Sequence, residues 1–139
     1  MPNLAQSLLA ASAAIMLLLG LIHIVYTFRG PKLHPRDAEL EARLRVVSPV
    51  ISRQTTMWKA WVGFNASHAF GLMLFGIVYG YLSLAHGQFL FGSPFLLAVG
   101  LLLLLGYAFL SQRFWFSAPL RGVALATILY VAALIAGAA

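Results

Sequence analysis

Four long apolar stretches constrain this chain more than any other feature: Leu4–Phe28, Trp58–Leu84, Pro94–Trp115 and Pro119–Gly137. Crossing about 30 Å of hydrocarbon takes about 20 residues at about 1.5 Å of helical rise each, and each stretch is close to that length or beyond it. None carries an acid or a base away from its ends. The connections are short, apart from the first. Ala85–Ser93 joins the second stretch to the third, and Phe116–Ala118 joins the third to the fourth, tight enough to force an antiparallel hairpin. The sequence therefore predicts an all-α fold, a four-helix transmembrane bundle with a short amphipathic helix in the first loop. Residues 1–139 form one integral membrane domain.

Composition agrees. Hydrophobic residues make up 62% of the 139 residues and charged residues 9%, against about 25% charged in a soluble domain. The net charge of +6 would suggest nucleic acid in a soluble protein. Here the bases sit beside apolar spans, so membrane lipids are the expected partner and nucleic acid is not. The absence of cysteine excludes disulfides, thiolate chemistry and Cys-ligated clusters. No Lys or Arg precedes Arg29, and the first apolar run is long for a signal peptide, so it reads as a retained helix.

The segment 29–57 holds all three acids, Asp37, Glu39 and Glu41, and six of the nine bases. Gly30-Pro31 marks a break. From Pro35 to Val47 the pattern is helical: Leu40, Leu44 and Val47 share a face, and Glu39/Arg43 and Glu41/Arg45 are i,i+4 pairs in the favourable order. Ser48-Pro49 closes it. This is either a solvated interfacial linker or a cap over a ligand site. Arg29, Lys32, Arg36, Arg43, Arg45, Arg53 and Lys59 lie in or beside this loop, and Arg113 and Arg121 flank the third. In a four-helix topology these loops share a side, which the positive-inside rule makes cytoplasmic. The expected placement is a bacterial inner membrane, with both termini outside and loops 29–57 and 116–118 inside. Trp58, Trp61 and Trp115 sit at the same boundary.

No carboxylate lies deep in a span, which disfavours ion-coupled transport. The polar residues that do lie there fall in a layer. His23 is six residues before Arg29, Asn65 and His68 are six and nine past Lys59, and Thr127 is six past Arg121. These offsets correspond to depths of roughly 9–14 Å. Asn65 and His68 share a helix face that continues through Leu72, Phe75, Tyr79 and Ser83, while Gly20, His23 and Thr27 share another. Interhelical hydrogen bonding accounts for such a layer. So does a ligand pocket in which His68 and Asn65 are the catalytic candidates and His23, Trp61, Tyr107, Arg113, Arg121 and Thr127 bind ligand. His68 titrates near neutrality in its unperturbed state and could act as acid or base. A third reading has His23 and His68 as axial haem ligands, although no second histidine pair or attachment motif accompanies them. No other metal is expected. Ser67/Gly71, Gly76/Gly80 and Ala133/Gly137 have the small-xxx-small spacing of close helix packing.

Asn65-Ala66-Ser67-His68, the run Phe75-Gly76-Ile77-Val78-Tyr79-Gly80, and Ala118-Pro119-Leu120-Arg121 preceded by Tyr107 and Arg113 carry a resemblance to a family. The chain resembles the membrane-associated proteins in eicosanoid and glutathione metabolism in helix count, loop lengths and orientation as well. The resemblance implies a homotrimer, and a transferase or isomerase acting on a lipophilic, anionic substrate at the cytoplasmic leaflet. It also points to glutathione as a cofactor, with an incomplete motif: His68 stands where the family has glutamate, and Trp61 where it has arginine. Asn65, Arg113 and Arg121 keep the pattern. A non-enzymatic membrane scaffold or subunit is the alternative.

Overall fold

A computed structural model describes residues 2–138. Six helices follow one another: α1 Leu4–Phe28, α2 Ala38–Val46, α3 Met57–Ala85, α4 Gly87–Phe91, α5 Pro94–Phe114 and α6 Ser117–Ala138. The described residues contain no strand. Four helices, α1, α3, α5 and α6, are long and apolar enough to cross a membrane. Most of the surface in these segments is not buried inside the protein, and residues such as Phe64, Phe70, Leu74, Phe95 and Ile135 turn outward. A water-soluble helix hides its apolar stripe, whereas helices solvated by hydrocarbon need not.

Local chemistry sets the ends. Asn3 and Gln6 form a reciprocal capping box at α1, with backbone N–H to side-chain oxygen distances of 2.8 and 2.9 Å. Asp37 caps α2 by accepting from Glu39 N and Leu40 N. The Pro35–Val47 pattern therefore starts at Ala38, because Asp37 is needed as the cap. Thr56 accepts from Lys59 N and starts α3 one residue before Trp58. Ser93 accepts from Leu96 N at 3.4 Å, with Pro94 at the first position of α5. The fourth apolar stretch begins at Ser117 rather than Pro119, since a proline in the first turn forfeits no helical bond. The short helix α4 lies inside the expected 85–93 connection, which the sequence reads only as polar and Gly-rich.

The chain forms two compact bodies. One runs up to Leu19 and resumes at Leu72. Its core gathers Leu9, Ala13 and Met16 of α1, Leu72, Phe75 and Tyr79 of α3, Leu104 of α5, and Val123, Ala126, Tyr130 and Ala133 of α6, with Leu90 of α4. Hydroxyls stitch it: Ser12 Oγ donates to Ala126 O at 2.7 Å, Ser83 Oγ to Gln6 O at 2.6 Å, Tyr79 Oη to Leu96 O at 2.7 Å and Tyr130 Oη to Leu97 O at 3.0 Å. Each gives a buried polar group an acceptor where no water competes. Gly76 lets α1 approach α3: a Cβ there would lie 2.5 Å from Leu17 Cβ and 2.7 Å from the Ala13 carbonyl oxygen. The face Leu72–Phe75–Tyr79–Ser83 of α3 is buried, as its spacing predicts. The other body, Gly20–Gly71, comprises the end of α1, the first loop with α2, and the start of α3.

Candidate functional site

The body Gly20–Gly71 opens where α1 stops. Gly30 has φ +77°, a left-handed conformation that suits glycine and turns the chain out of the helix. A turn follows, His34 N donating to Pro31 O at 3.1 Å. The chain then folds onto the first turns of α3. The Trp61 indole N–H donates to Leu33 O at 3.0 Å, and the His34 ring meets the Trp58 ring edge-on with centroids 4.7 Å apart. Helix α2 closes the circuit. Glu41 bonds His34 Nδ1 at 3.1 Å and Arg45 at 2.6 Å, and the Arg45 guanidinium lies 4.4 Å from the centroid of Trp58. The hydrogen bonds from Arg45, and then from His34, hold the Glu41 carboxyl below the ordinary carboxylate range. No residue of α2 is buried, so the side-chain contacts of Glu41 and Arg45, with the Asp37 cap, fix this helix.

Asn65 and the two histidines follow along the same helices. Asn65 Nδ2 donates to Trp61 O at 2.9 Å, which fixes the orientation of the amide and leaves Oδ1 as the acceptor for His23 Nε2 at 3.1 Å. His23 therefore carries its proton on Nε2 in the neutral ring, and Nδ1 is its acceptor. Thr27 Oγ1 returns to His23 O at 2.8 Å. The His68 ring sits edge-to-face on His23, centroids 5.0 Å apart and planes 79° apart. All three polar side chains are half-buried. Thr27, Leu33, His34, Trp58, Trp61, Val62 and Asn65 line a cleft of about 10 Å³, which is room for one water molecule.

The structure thus brings together His23, Asn65, His68 and Trp61. Tyr107, Arg113, Arg121 and Thr127 belong to the other body. There, Thr127 Oγ1 donates to Val123 O and Ser111 Oγ to Tyr107 O, each within its own helix, and Arg113 and Arg121 are exposed beside the α5–α6 turn. His34, Trp58, Glu41 and Arg45 enter the site without having been singled out for it. The i,i+4 pair signalled Glu41 with Arg45. Nothing in the spacing signals His34 against Trp58, 24 positions apart.

The cluster's chemistry is that of neutral donors and acceptors. The three carboxylates of this body all lie in the loop segment, so proton transfer within the cluster falls to the two histidines. Direct contact between the His23 and His68 rings leaves no slot for a porphyrin plate, so axial haem ligation does not fit this arrangement. Among the described residues, no three His, Asp or Glu side chains gather to hold a metal ion. A one-water cleft does not enclose a tripeptide. No protein-family model, curated protein or solved structure matches this chain.

Proposed function

We propose that this is an integral membrane protein that binds a lipophilic molecule with an anionic head group at the cytoplasmic leaflet. In this reading the loops 29–57 and 116–118 face the cytoplasm of a bacterial cell and the termini face out. The observation that carries it is the half-exposed His23–Asn65–His68 cluster, on helix segments that are otherwise apolar and capped by the loop from Gly30 to His34. A group of polar side chains on otherwise apolar spanning segments is a functional-site candidate. The same body carries seven bases against three acids, which favours a negative ligand from the adjoining head-group layer. With so small a cleft, the ligand lies along the outer side of the helices, its head group at the cluster and its tail in lipid. The resemblance to the membrane-associated proteins in eicosanoid and glutathione metabolism supports this reading at the level of architecture, and the trimer it implies is part of the proposal. Proton transfer by His68 acting as acid or base is the further, catalytic step of this reading.

The test is equilibrium binding in nanodiscs of neutral lipid. A fatty acid, phosphatidylglycerol and a lipophilic thioether of glutathione are titrated against the wild type and Asn65→Leu. Saturable binding that weakens about ten-fold in the variant, equivalent to about 1.4 kcal/mol, supports the site. Binding that is absent, or equal in the two proteins, sinks it. A stoichiometric protein partner recovered from native membranes in its place would establish the scaffold role.

A further inference from the structure

A feature of the first loop stands apart from the cluster. Val47 O accepts from Met57 N at 2.8 Å, so the chain between them is an excursion pinned at its base to the first residue of α3. A turn with Ser52 N on Pro49 O at 3.2 Å forms its apex. The side chains at that apex are apolar and uncovered: Val50 is 109% exposed and Ile51 93%, with Val46 at 75% just before the base. Two exposed β-branched residues at the apex, with a third next to the base, present apolar surface that water disfavours.

Position and charge indicate what covers it. The apex is no more than five residues from the base, a reach of at most roughly 18 Å. The base is the start of an apolar span, so the apex stays within reach of the head-group layer next to the hydrocarbon. Arg43 and Arg53 flank the patch and are exposed, and no acid follows Glu41 anywhere in the chain. Apolar side chains flanked by bases fit an anionic lipid surface, where the side chains enter the acyl boundary and the bases meet phosphates.

We infer that the excursion between Val47 and Met57, through its apex side chains Val50 and Ile51, is a membrane-surface anchor that dips into the anionic head-group layer of the bilayer the helices cross. It rests on the membrane placement proposed above and not on the ligand cluster. It holds the first loop flat against the leaflet, with the mouth of the Trp58–Trp61 cleft at the lipid surface.

The chain has no cysteine, so single labels can be placed in the full-length protein. Ile51→Cys and, as a membrane reference, the exposed Phe70→Cys carry an environment-sensitive fluorophore in nanodiscs, where both faces are accessible. Nitroxide lipids report lipid contact and acrylamide, a neutral quencher, reports water. In phosphatidylglycerol nanodiscs the label at residue 51 is quenched by a shallow nitroxide and shielded from acrylamide. The shielding falls several-fold in pure phosphatidylcholine, and likewise when Arg43→Glu and Arg53→Glu are added. Free access of acrylamide with no lipid quenching overturns the anchor, as does shielding without lipid quenching, which would mean that a second copy covers the patch. If the label at residue 70 escapes a deep nitroxide, the membrane placement itself falls. If residue 70 is quenched and residue 51 is not, only the anchor does.

Discussion

Gly76→Ala should loosen the packing of α1 on α3, while Gly80→Ala, one turn further on, should be nearly silent. At Gly76 the added methyl carbon would lie 2.5 Å from Leu17 Cβ, 2.7 Å from Ala13 O and 2.8 Å from Leu17 N. Carbon atoms sit comfortably at about 3.5–4.0 Å, so the helices must separate by about 1 Å. No rotamer change relieves a clash with backbone atoms. Overpacking of this kind costs about 1–3 kcal/mol, or about five- to 150-fold in the folded population. At Gly80 the nearest atom is Ala13 Cβ at 3.6 Å, an ordinary contact. The assay is reversible denaturant unfolding in bicelles followed by circular dichroism, with the two variants compared against the wild type. A silent Gly76→Ala would refute the packing described. If Gly80→Ala proved the more disruptive, the small-residue face would be packing against something other than α1.

Three further outcomes rest on other contacts. Asn65→Leu removes the link to His23 and the bond to Trp61 O, and should cost about 1 kcal/mol, since interhelical bonds in lipid average about 0.6 and reach about 1.7; a loss above about 3 kcal/mol in bicelle unfolding would make the cluster a structural keystone instead. Glu41 has a folded-state carboxyl held below its ordinary range, so its contribution is complete above the unfolded carboxylate value and is lost as pH falls through the depressed one. Trp58 fluorescence should report α2 coming loose in acid, and Glu41→Gln should release α2 at neutral pH and flatten the profile; an unchanged profile would remove Glu41 from the circuit. Tyr130→Phe should cost about 0.6 kcal/mol for the bond to Leu97 O, but Tyr130→Ala about 3–5 kcal/mol through the cavity left by a fully buried ring; equal unfolding losses would show that the hydroxyl, not the ring, does the holding.

The spans were legible because hydrocarbon demands length and apolarity, and those are properties of a local stretch. The buried stripe of α3 from Leu72 to Ser83 and the pairing of Glu41 with Arg45 were legible for a similar reason, since both follow helical spacing. The contact of His23 with Asn65 was partly legible: a common depth placed them in one layer, and the structure adds the bond. The path of the first loop was not legible. Trp61 on Leu33 O and His34 on Trp58 depend on Gly30 reversing the chain, and a glycine reveals where a chain can turn but not what it turns onto. Helix α4 was missed for want of length, because five residues carry too little period to be recognised. The ends of α2 and α6 were misplaced because Asp37 and Pro119 serve as cap and first-turn residue.

The claim that carries most weight is that the polar cluster of the body Gly20–Gly71 meets an anionic head group. The most direct test uses the four histidines as reporters. Imidazole resonances of the full-length protein in neutral nanodiscs are followed by NMR as phosphatidylglycerol or a fatty acid is added. Saturable shifts are expected at His23 and His68, accompanied by His34 on the cleft wall, while His86 beside Tyr81 stays unmoved. Shifts that never saturate, or that move His86 as far as His23, would contradict it.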